Sequence, residues 1–111
     1  MSVTYLITFS VAPGKRRRFL ELLNGVLDSM RREATFINAA LHSDPQDENR
    51  FLLYETWADH QDVLDVQLKR NYRDAWHEAL PELLERPREI GIWQPLRADL
   101  ATKIAAPGQR P

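Results

Sequence analysis

The residues best suited to catalysis or ligand binding lie in residues 50–77, where a predicted apolar strand leads into helical sequence. A carboxylate or an imidazole can accept a proton from a substrate, while an amide or a phenol can hydrogen-bond to its oxygens. In two-layer α/β proteins, pockets often form where strands end and helices begin. We therefore expect a small-molecule pocket here, with Glu55 and His77 as candidate catalytic residues. The candidate substrate-binding residues are Trp57, Gln67, Tyr72 and Trp76.

Each of these residues also has a purely structural interpretation. Trp57 and Trp76 have the size and shape of core aromatics, which stabilise a fold by packing alone. Glu55 could form an ion pair across the sheet or between subunits, and His77 could lie partly exposed on a helix surface. His60 stands in the first turn of a predicted helix, where the helix dipole disfavours a cation. We therefore expect His60 to be a neutral surface imidazole.

Basic residues in the same stretch offer a second kind of site. Lys69, Arg70 and Arg73 follow one another closely and could hold an acidic substrate. They could equally form surface ion pairs with Asp65 and Asp74, which contribute little to stability. The sequence leaves both interpretations open.

Apolar periodicity predicts the elements that must position these side chains. The order is β-α-β-β-α-β, which is typical of an α+β, ferredoxin-like fold with an antiparallel four-stranded sheet. Asp59 is the expected N-cap of the second helical region, and Pro81 is expected to kink or restart the helix that contains it. The predicted strands are residues 3–11, 36–43, 51–57 and 89–96, the predicted helices are residues 15–32, 60–68 and 72–86, and a polar turn is predicted at residues 44–49.

Helices on one face of such a sheet leave its other face without cover. That face would carry apolar side chains such as Leu6, Leu52 and Tyr54, so a second copy of the chain is the simplest cover. Residues 1–97 are expected to form this domain. In residues 98–111 the composition turns to Ala, Pro, Gly and Arg, which predicts a flexible tail or an arm that lies on a partner subunit.

Composition excludes several classes of function. The 111 residues fit one domain, and a net charge of −1 with a pI of about 6.3 argues against nucleic-acid binding. The basic run at residues 15–18 is interpreted as a solvated helix face. With no cysteine there is no disulfide, thiolate nucleophile or cysteine-based metal site. The N-terminus lacks a signal peptide pattern and no apolar run approaches a membrane span, so we expect a soluble cytoplasmic protein with no membrane partner.

Two motifs carry a resemblance to a known family. Pro13-Gly14-Lys15 forms a turn after the first strand, and Glu55-Thr56-Trp57 ends the third. With the segment FLLYETWADHQDVLDVQLKRNYRDAW, these make the chain resemble the antibiotic biosynthesis monooxygenase domain family over about residues 3–97. The resemblance implies a homodimer, in which two four-stranded sheets face one another as a dimeric α+β barrel.

The resemblance also implies an activity. Some members of the family oxidise polycyclic phenols or quinols with dioxygen and use neither a metal nor a flavin, so the implied function is a cofactor-independent monooxygenase for an aromatic or quinol-type small molecule. Trp57 and Trp76 would then shape the pocket, and Glu55 or His77 would be the base. Many members have a histidine where Gln67 stands, and an amide can orient a substrate oxygen but cannot shuttle a proton.

Two alternatives stay open at this point. The first is a dimeric barrel that binds a small molecule without catalysis, which the missing helix histidine favours. The second is haem binding through His77, because haem-degrading relatives have their haem ligand at a similar position. Those relatives carry a tryptophan where this chain has Gln67.

Overall fold

The computed structural model describes residues 1–102 of the chain, and these residues adopt the α+β fold that the periodicity predicts. Residues 98–102 belong to the predicted tail and are exposed without secondary structure, while the rest of that tail lies outside the described residues. Two short 3-10 turns, Gln67–Lys69 and Asn71–Arg73, connect the second and third helices. The elements are β1 (Val3–Ser10), α1 (Arg16–Met30), β2 (Phe36–Asp44), β3 (Asp47–Trp57), α2 (His60–Asp65), α3 (Asp74–Leu83) and β4 (Glu89–Trp93).

The four strands form one antiparallel sheet in the order β2-β3-β1-β4. This order confirms the predicted ferredoxin-like arrangement, in which the first and third strands are central. Tyr5 on β1 pairs with Glu55 on β3 and with Ile92 on β4. These three side chains therefore lie side by side on the same face of the sheet, which is the face covered by the helices.

An aromatic cluster forms the centre of the core between this face and the helices. The ring centroids of Phe9 and Phe19 lie 5.0 Å apart, and that of Trp76 lies 5.8 Å from the first and 5.6 Å from the second. Such tilted and edge-to-face contacts add to the hydrophobic stabilisation of burial. The opposite face carries Leu6 and Leu52, which stay partly exposed as predicted.

The predicted polar turn between β2 and β3 proves shorter than expected. The sheet extends to a pair between Asp44 and Asp47, because their carboxylates accept hydrogen bonds from backbone amides at the corner. At the other reverse turn, Gly14 has a φ of +83°, a left-handed conformation that favours glycine.

The helical boundaries also differ from the sequence prediction. Asp59 caps α2 as expected, accepting from the backbone N–H of Gln61 at 3.1 Å, but the helix gives way to 3-10 turns after Asp65. Of the kink or restart predicted at Pro81, the restart is wrong, since α3 continues through Pro81 to Leu83. A proline so close to the helix end removes one backbone hydrogen bond and leaves no long segment to redirect. Among residues 1–102, no helix has both the length and the apolar character of a membrane span.

Candidate functional site

A cavity of about 200 Å³ lies between the helix-covered face of the sheet and the helices. Its walls are mainly apolar, with Phe9 and Leu53 on the sheet side and Met30 and Trp76 on the helix side. The strands supply these residues at every second position, because alternate side chains of a strand share one face. The cavity is thus part of the core that the chain leaves unfilled.

The cavity opens between β4 and the segment that begins with α2. Four of its apolar lining residues are at least two-fifths exposed, whereas those at its deep end are buried. Exposed apolar side chains around an opening are typical of an entrance for an apolar ligand. The four are Leu64, Leu68, Ile90 and Ile92.

Glu55 provides a buried carboxylate on the cavity wall, with only 6% of its surface exposed. The indole Nε1 of Trp57 donates a hydrogen bond to its Oε1 at 2.9 Å. Burial raises the pKa of the Glu55 carboxyl above its usual value, while this hydrogen bond and the charges of Arg73 and Arg88 act in the opposite direction. A buried carboxylate with a raised pKa is suited to general-base chemistry.

Two arginines share the wall with Glu55. Arg73 is buried, with 6% of its surface exposed, and neither its Nε nor its Nη2 has a hydrogen-bond partner in the described structure. Arg88 lines the cavity immediately before β4 and is half-buried. Burial lowers the pKa of its guanidinium, and the nearby Glu55 charge raises it. Arg73 therefore lies on the cavity wall, and its contact with an acidic substrate stays a prediction.

The other members of that basic group lie elsewhere. Arg70 is exposed and forms an ion pair with Glu33, with its Nη2 3.1 Å from Oε1, and Lys69 is exposed as well. Neither lines the cavity. The pairings proposed with Asp65 and Asp74 are not among the ion pairs of residues 1–102.

The sequence contained a signal for both cavity arginines. Arg88 has the same parity as Ile90 and Ile92, so strand alternation puts it on the helix-covered face. Arg73 precedes Trp76 and Leu80 at helical spacing and therefore falls on the buried stripe. Because arginine is seldom buried, the residue type at this position argues against the core location that the spacing indicates.

Tyr5 and His60 form a polar pair on the same cavity wall. A 2.7 Å hydrogen bond joins Tyr5 Oη and His60 Nδ1, and the His60 ring is half-buried. The expectation of a surface imidazole at His60 is therefore wrong, because the first turn of α2 lies over β1. Burial, and then the charge of Glu55, raises the pKa of the Tyr5 hydroxyl.

The predicted tryptophans have different positions relative to the cavity. Trp76 lines it and is 3% exposed. Trp57 is fully buried behind it, with its ring edge-on to Phe36 at a centroid distance of 5.3 Å. Trp57 is therefore not part of the cavity wall, and it is connected to the wall only through its hydrogen bond to Glu55.

Gln67 is buried but does not line the cavity. Its Nε2 donates to Asp62 Oδ2 at 3.0 Å, and Thr35 Oγ1 donates to the same oxygen at 2.8 Å. These bonds connect the segment after α2 to the loop before β2. The predicted contact of Gln67 with substrate stays a prediction.

Tyr72 and His77 also lie outside the lining residues. The Tyr72 hydroxyl donates to Glu33 Oε2 at 3.0 Å, which connects the second 3-10 turn to the turn after α1. His77 is half-buried, and burial lowers its pKa, with repulsion by Arg88 and Arg73 adding to the effect. The structure brings together Glu55 and Trp76 in the cavity, and the predicted roles of Tyr72 and His77 stay predictions.

No group of three or more His, Asp or Glu side chains in residues 1–102 is arranged to hold a metal ion.

Comparison with known proteins finds a matching family and a similar protein. A family model described as antibiotic biosynthesis monooxygenase matches residues 2–79. The chain is 31% identical over 93 residues to the protein named "Putative monooxygenase GME11364" of Pestalotiopsis microspora, a match that covers 83% of this chain and 78% of that one.

Solved structures show a similar fold. One, titled "Putative antibiotic biosynthesis monooxygenase from Nitrosomonas europaea", has a TM-score of 0.80 at 20% identity and covers 86% of this chain and 90% of its own. Another is SnoaB of Streptomyces nogalater, described as a cofactor-independent oxygenase, with a TM-score of 0.74 at 21% identity and coverages of 87% and 95%.

Proposed function

Because the chain belongs to the antibiotic biosynthesis monooxygenase family, we propose that it oxidises a small phenol or quinol with dioxygen and needs no cofactor. The observation that carries this proposal is Glu55, a buried carboxylate of raised pKa on the wall of an apolar, aromatic-lined cavity. A similar solved structure, SnoaB, is described as a cofactor-independent oxygenase.

In this reaction the substrate supplies the electrons. For a phenol, loss of the hydroxyl proton gives a phenolate, which transfers one electron to dioxygen, and the two radicals combine to a peroxide anion at the ring carbon opposite the oxygen. The proton returns to this anion to give a hydroperoxide, and loss of water then forms the quinone, so one oxygen atom enters the product and the other leaves as water. A quinol, whose opposite ring carbon already carries oxygen, would instead give its quinone and hydrogen peroxide. The protein has to bind the ring, accept the proton and exclude bulk water.

Glu55 is the proposed proton acceptor. Its carboxylate has one oxygen bonded to the Trp57 indole, so the other oxygen is available to a substrate hydroxyl. The Tyr5–His60 pair reaches the same wall and is a second group that can exchange a proton. Trp76 and Phe9 would pack against the substrate ring.

The cavity volume limits the size of the substrate. A cavity of about 150 Å³ holds one benzene ring, so a volume of about 200 Å³ suits one substituted ring or two fused rings. We therefore favour phenols and naphthols over larger polycyclic compounds.

We also propose that the protein is a homodimer in which two sheets face one another. The open face of the sheet exposes 36% of Leu6, 40% of Leu52 and 60% of Trp93. The His42 and Tyr54 rings stack on the same face, with centroids 6.3 Å apart. An apolar sheet face of this kind favours association with a second copy.

Oxygen uptake tests the proposed activity. With 1-naphthol and menadiol, the protein should consume oxygen faster than the same solutions do without it, and anthrone, which has three fused rings, should be a poorer substrate. With 1-naphthol and ¹⁸O₂, the quinone product should carry one labelled oxygen. If no substrate in such a panel gives uptake above autoxidation, the oxygenase proposal fails.

The alternative is a barrel that binds an aromatic molecule without reaction. The absence of a hydrogen-bonded acid–base pair between Glu55 and any described histidine favours it. A naphthol that raises the melting temperature yet is recovered unchanged in air would support the alternative.

A further inference from the structure

Arg73 has an unusual environment for an arginine. Its side chain lines the cavity and is more than nine-tenths buried, yet Nε and Nη2 have no hydrogen-bond partner in the described structure. A buried charged donor that the protein itself does not pair is costly. The proposed oxidation does not use this residue.

The two unpartnered nitrogens lie on one edge of the guanidinium. Nε and Nη2 point their N–H groups in parallel, and this edge matches the two oxygens of a carboxylate in a bidentate, charge-assisted pair. A phenol oxygen would satisfy only one of these donors. The geometry of the unsatisfied edge therefore favours a planar anion with two oxygens.

The charges of the cavity wall favour an anion as well. Among its described lining residues, Arg73 and Arg88 are cations and Glu55 is the one carboxylate. The wall has an excess of one positive charge when Glu55 is ionised and of two when it is protonated. The Glu55 carboxylate accepts a hydrogen bond from Trp57 and is not a hydrogen-bond partner of Arg73 Nε or Nη2.

We propose that the cavity binds an aromatic carboxylate, with the ring against Trp76 and the carboxylate on the Nε–Nη2 edge of Arg73, next to Arg88. This inference specifies the substrate class of the proposed function. It rests on that function only for the claim that the bound ring is oxidised. The preferred substrate is then a hydroxylated arenecarboxylate of one or two rings. Arg73 is a binding residue that fixes which ring position faces Glu55.

A matched pair of ligands tests the inference without turnover. 2-Naphthoate and 2-naphthamide have nearly the same shape, differ in charge and lack the phenol that the oxidation requires. Binding of each is measured by isothermal titration calorimetry to the wild type, Arg73→Gln and Arg88→Gln. Arg86→Gln is the control, because Arg86 is exposed and close in sequence to Arg88, does not line this cavity, and its loss changes the net charge equally.

The wild type should bind 2-naphthoate about 10-fold or more tightly than 2-naphthamide, since hydrogen bonds to charged groups contribute at least this much. Arg73→Gln should weaken 2-naphthoate binding by about 10- to 100-fold and change 2-naphthamide binding by less than about 3-fold. Arg88→Gln should have a smaller effect because Arg88 is only half-buried, and Arg86→Gln should have none.

Equal affinity of the wild type for the two ligands would overturn the inference, as would an Arg73→Gln protein that is folded by circular dichroism and binds both as the wild type does. If Arg73→Gln does not fold, the wild-type ratio and Arg88→Gln decide the question. Preference for 2-naphthoate without oxygen uptake from any phenol would refute the oxygenase and support the carboxylate site. Oxygen uptake with naphthols but no preference for 2-naphthoate would support the oxygenase and refute the carboxylate site.

Discussion

Replacing Glu55 by glutamine tests the proposed base directly. Glutamine has the same shape, and its carbonyl oxygen can still accept the 2.9 Å hydrogen bond from Trp57 Nε1. The substitution therefore removes the ability to take a proton without leaving a buried indole N–H unsatisfied, which would cost about 1–3 kcal/mol. Alanine at this position would confound the two effects.

General-base catalysis contributes about 10²- to 10⁴-fold to a rate, so Glu55→Gln should lower kcat/KM by a factor in this range. In the wild type, the acidic limb of the pH profile should lie above 4.5, the usual pKa of this side chain, because burial raises the Glu55 pKa and the base works only when deprotonated. Arg73, Arg88 and Tyr5 face the same carboxylate and remain in the variant.

The assay is the initial rate of oxygen uptake with 1-naphthol, corrected for autoxidation, at several pH values. His77→Gln is the matched comparison, because His77 was the other candidate base and does not line the cavity. We expect Glu55→Gln to lose both the rate and the acidic limb while His77→Gln keeps them. If Glu55→Gln keeps the wild-type rate, or if His77→Gln loses it, the assignment of Glu55 as the base is refuted.

Other substitutions test packing and assembly. The folded-state pKa of His77 is below its usual 6.5, so the unfolded chain binds this proton more readily and the folded protein loses stability as pH drops through 6.5. In urea titrations, His77→Gln should therefore lose less stability than the wild type between about pH 8 and about pH 5. Leu52→Asp should convert a dimer to a monomer in sedimentation experiments, and a monomeric wild type would contradict the proposed assembly. Gly14→Ala should lower the free energy of unfolding in urea by about 1 kcal/mol, because Gly14 has a positive φ. Gly25→Ala inside α1 should raise it by about 0.5–1 kcal/mol.

The fold was predictable because its apolar pattern is regular. Alternation along β1 and the stripe along α1 indicate the elements and their buried faces, and the Glu55–Trp57 motif marks the end of β3. Element ends were less predictable, since they depend on tertiary contacts. The Asp44–Asp47 pair lengthens the hairpin, and the bonds of Asp62 to Thr35 and Gln67 hold a segment that turns into 3-10 geometry.

The site was predictable only in part. Glu55 and Trp76 reach the cavity because they belong to a strand end and a helix stripe that the sequence reveals. Gln67 and Tyr72 have the right chemistry, but Gln67 donates to Asp62 in the preceding helix and Tyr72 donates to Glu33, which is distant in sequence. Such partners depend on how α2 and α1 pack, which local pattern does not specify.

The buried charges of the cavity are difficult to explain by stability alone. A domain of this size has about 5–15 kcal/mol of net stability, and a buried polar group without a partner costs about 1–3 kcal/mol, more when it is charged. Arg73 has two buried nitrogens without a partner among residues 1–102, although its guanidinium also lies 5.8 Å from the Tyr72 ring centroid and interacts with the charge of Glu55. A ligand carboxylate would remove the cost on binding, so unfavourable energy in the free protein becomes affinity for an anion. The ligand that stabilises the fold most should therefore be the one that satisfies Arg73.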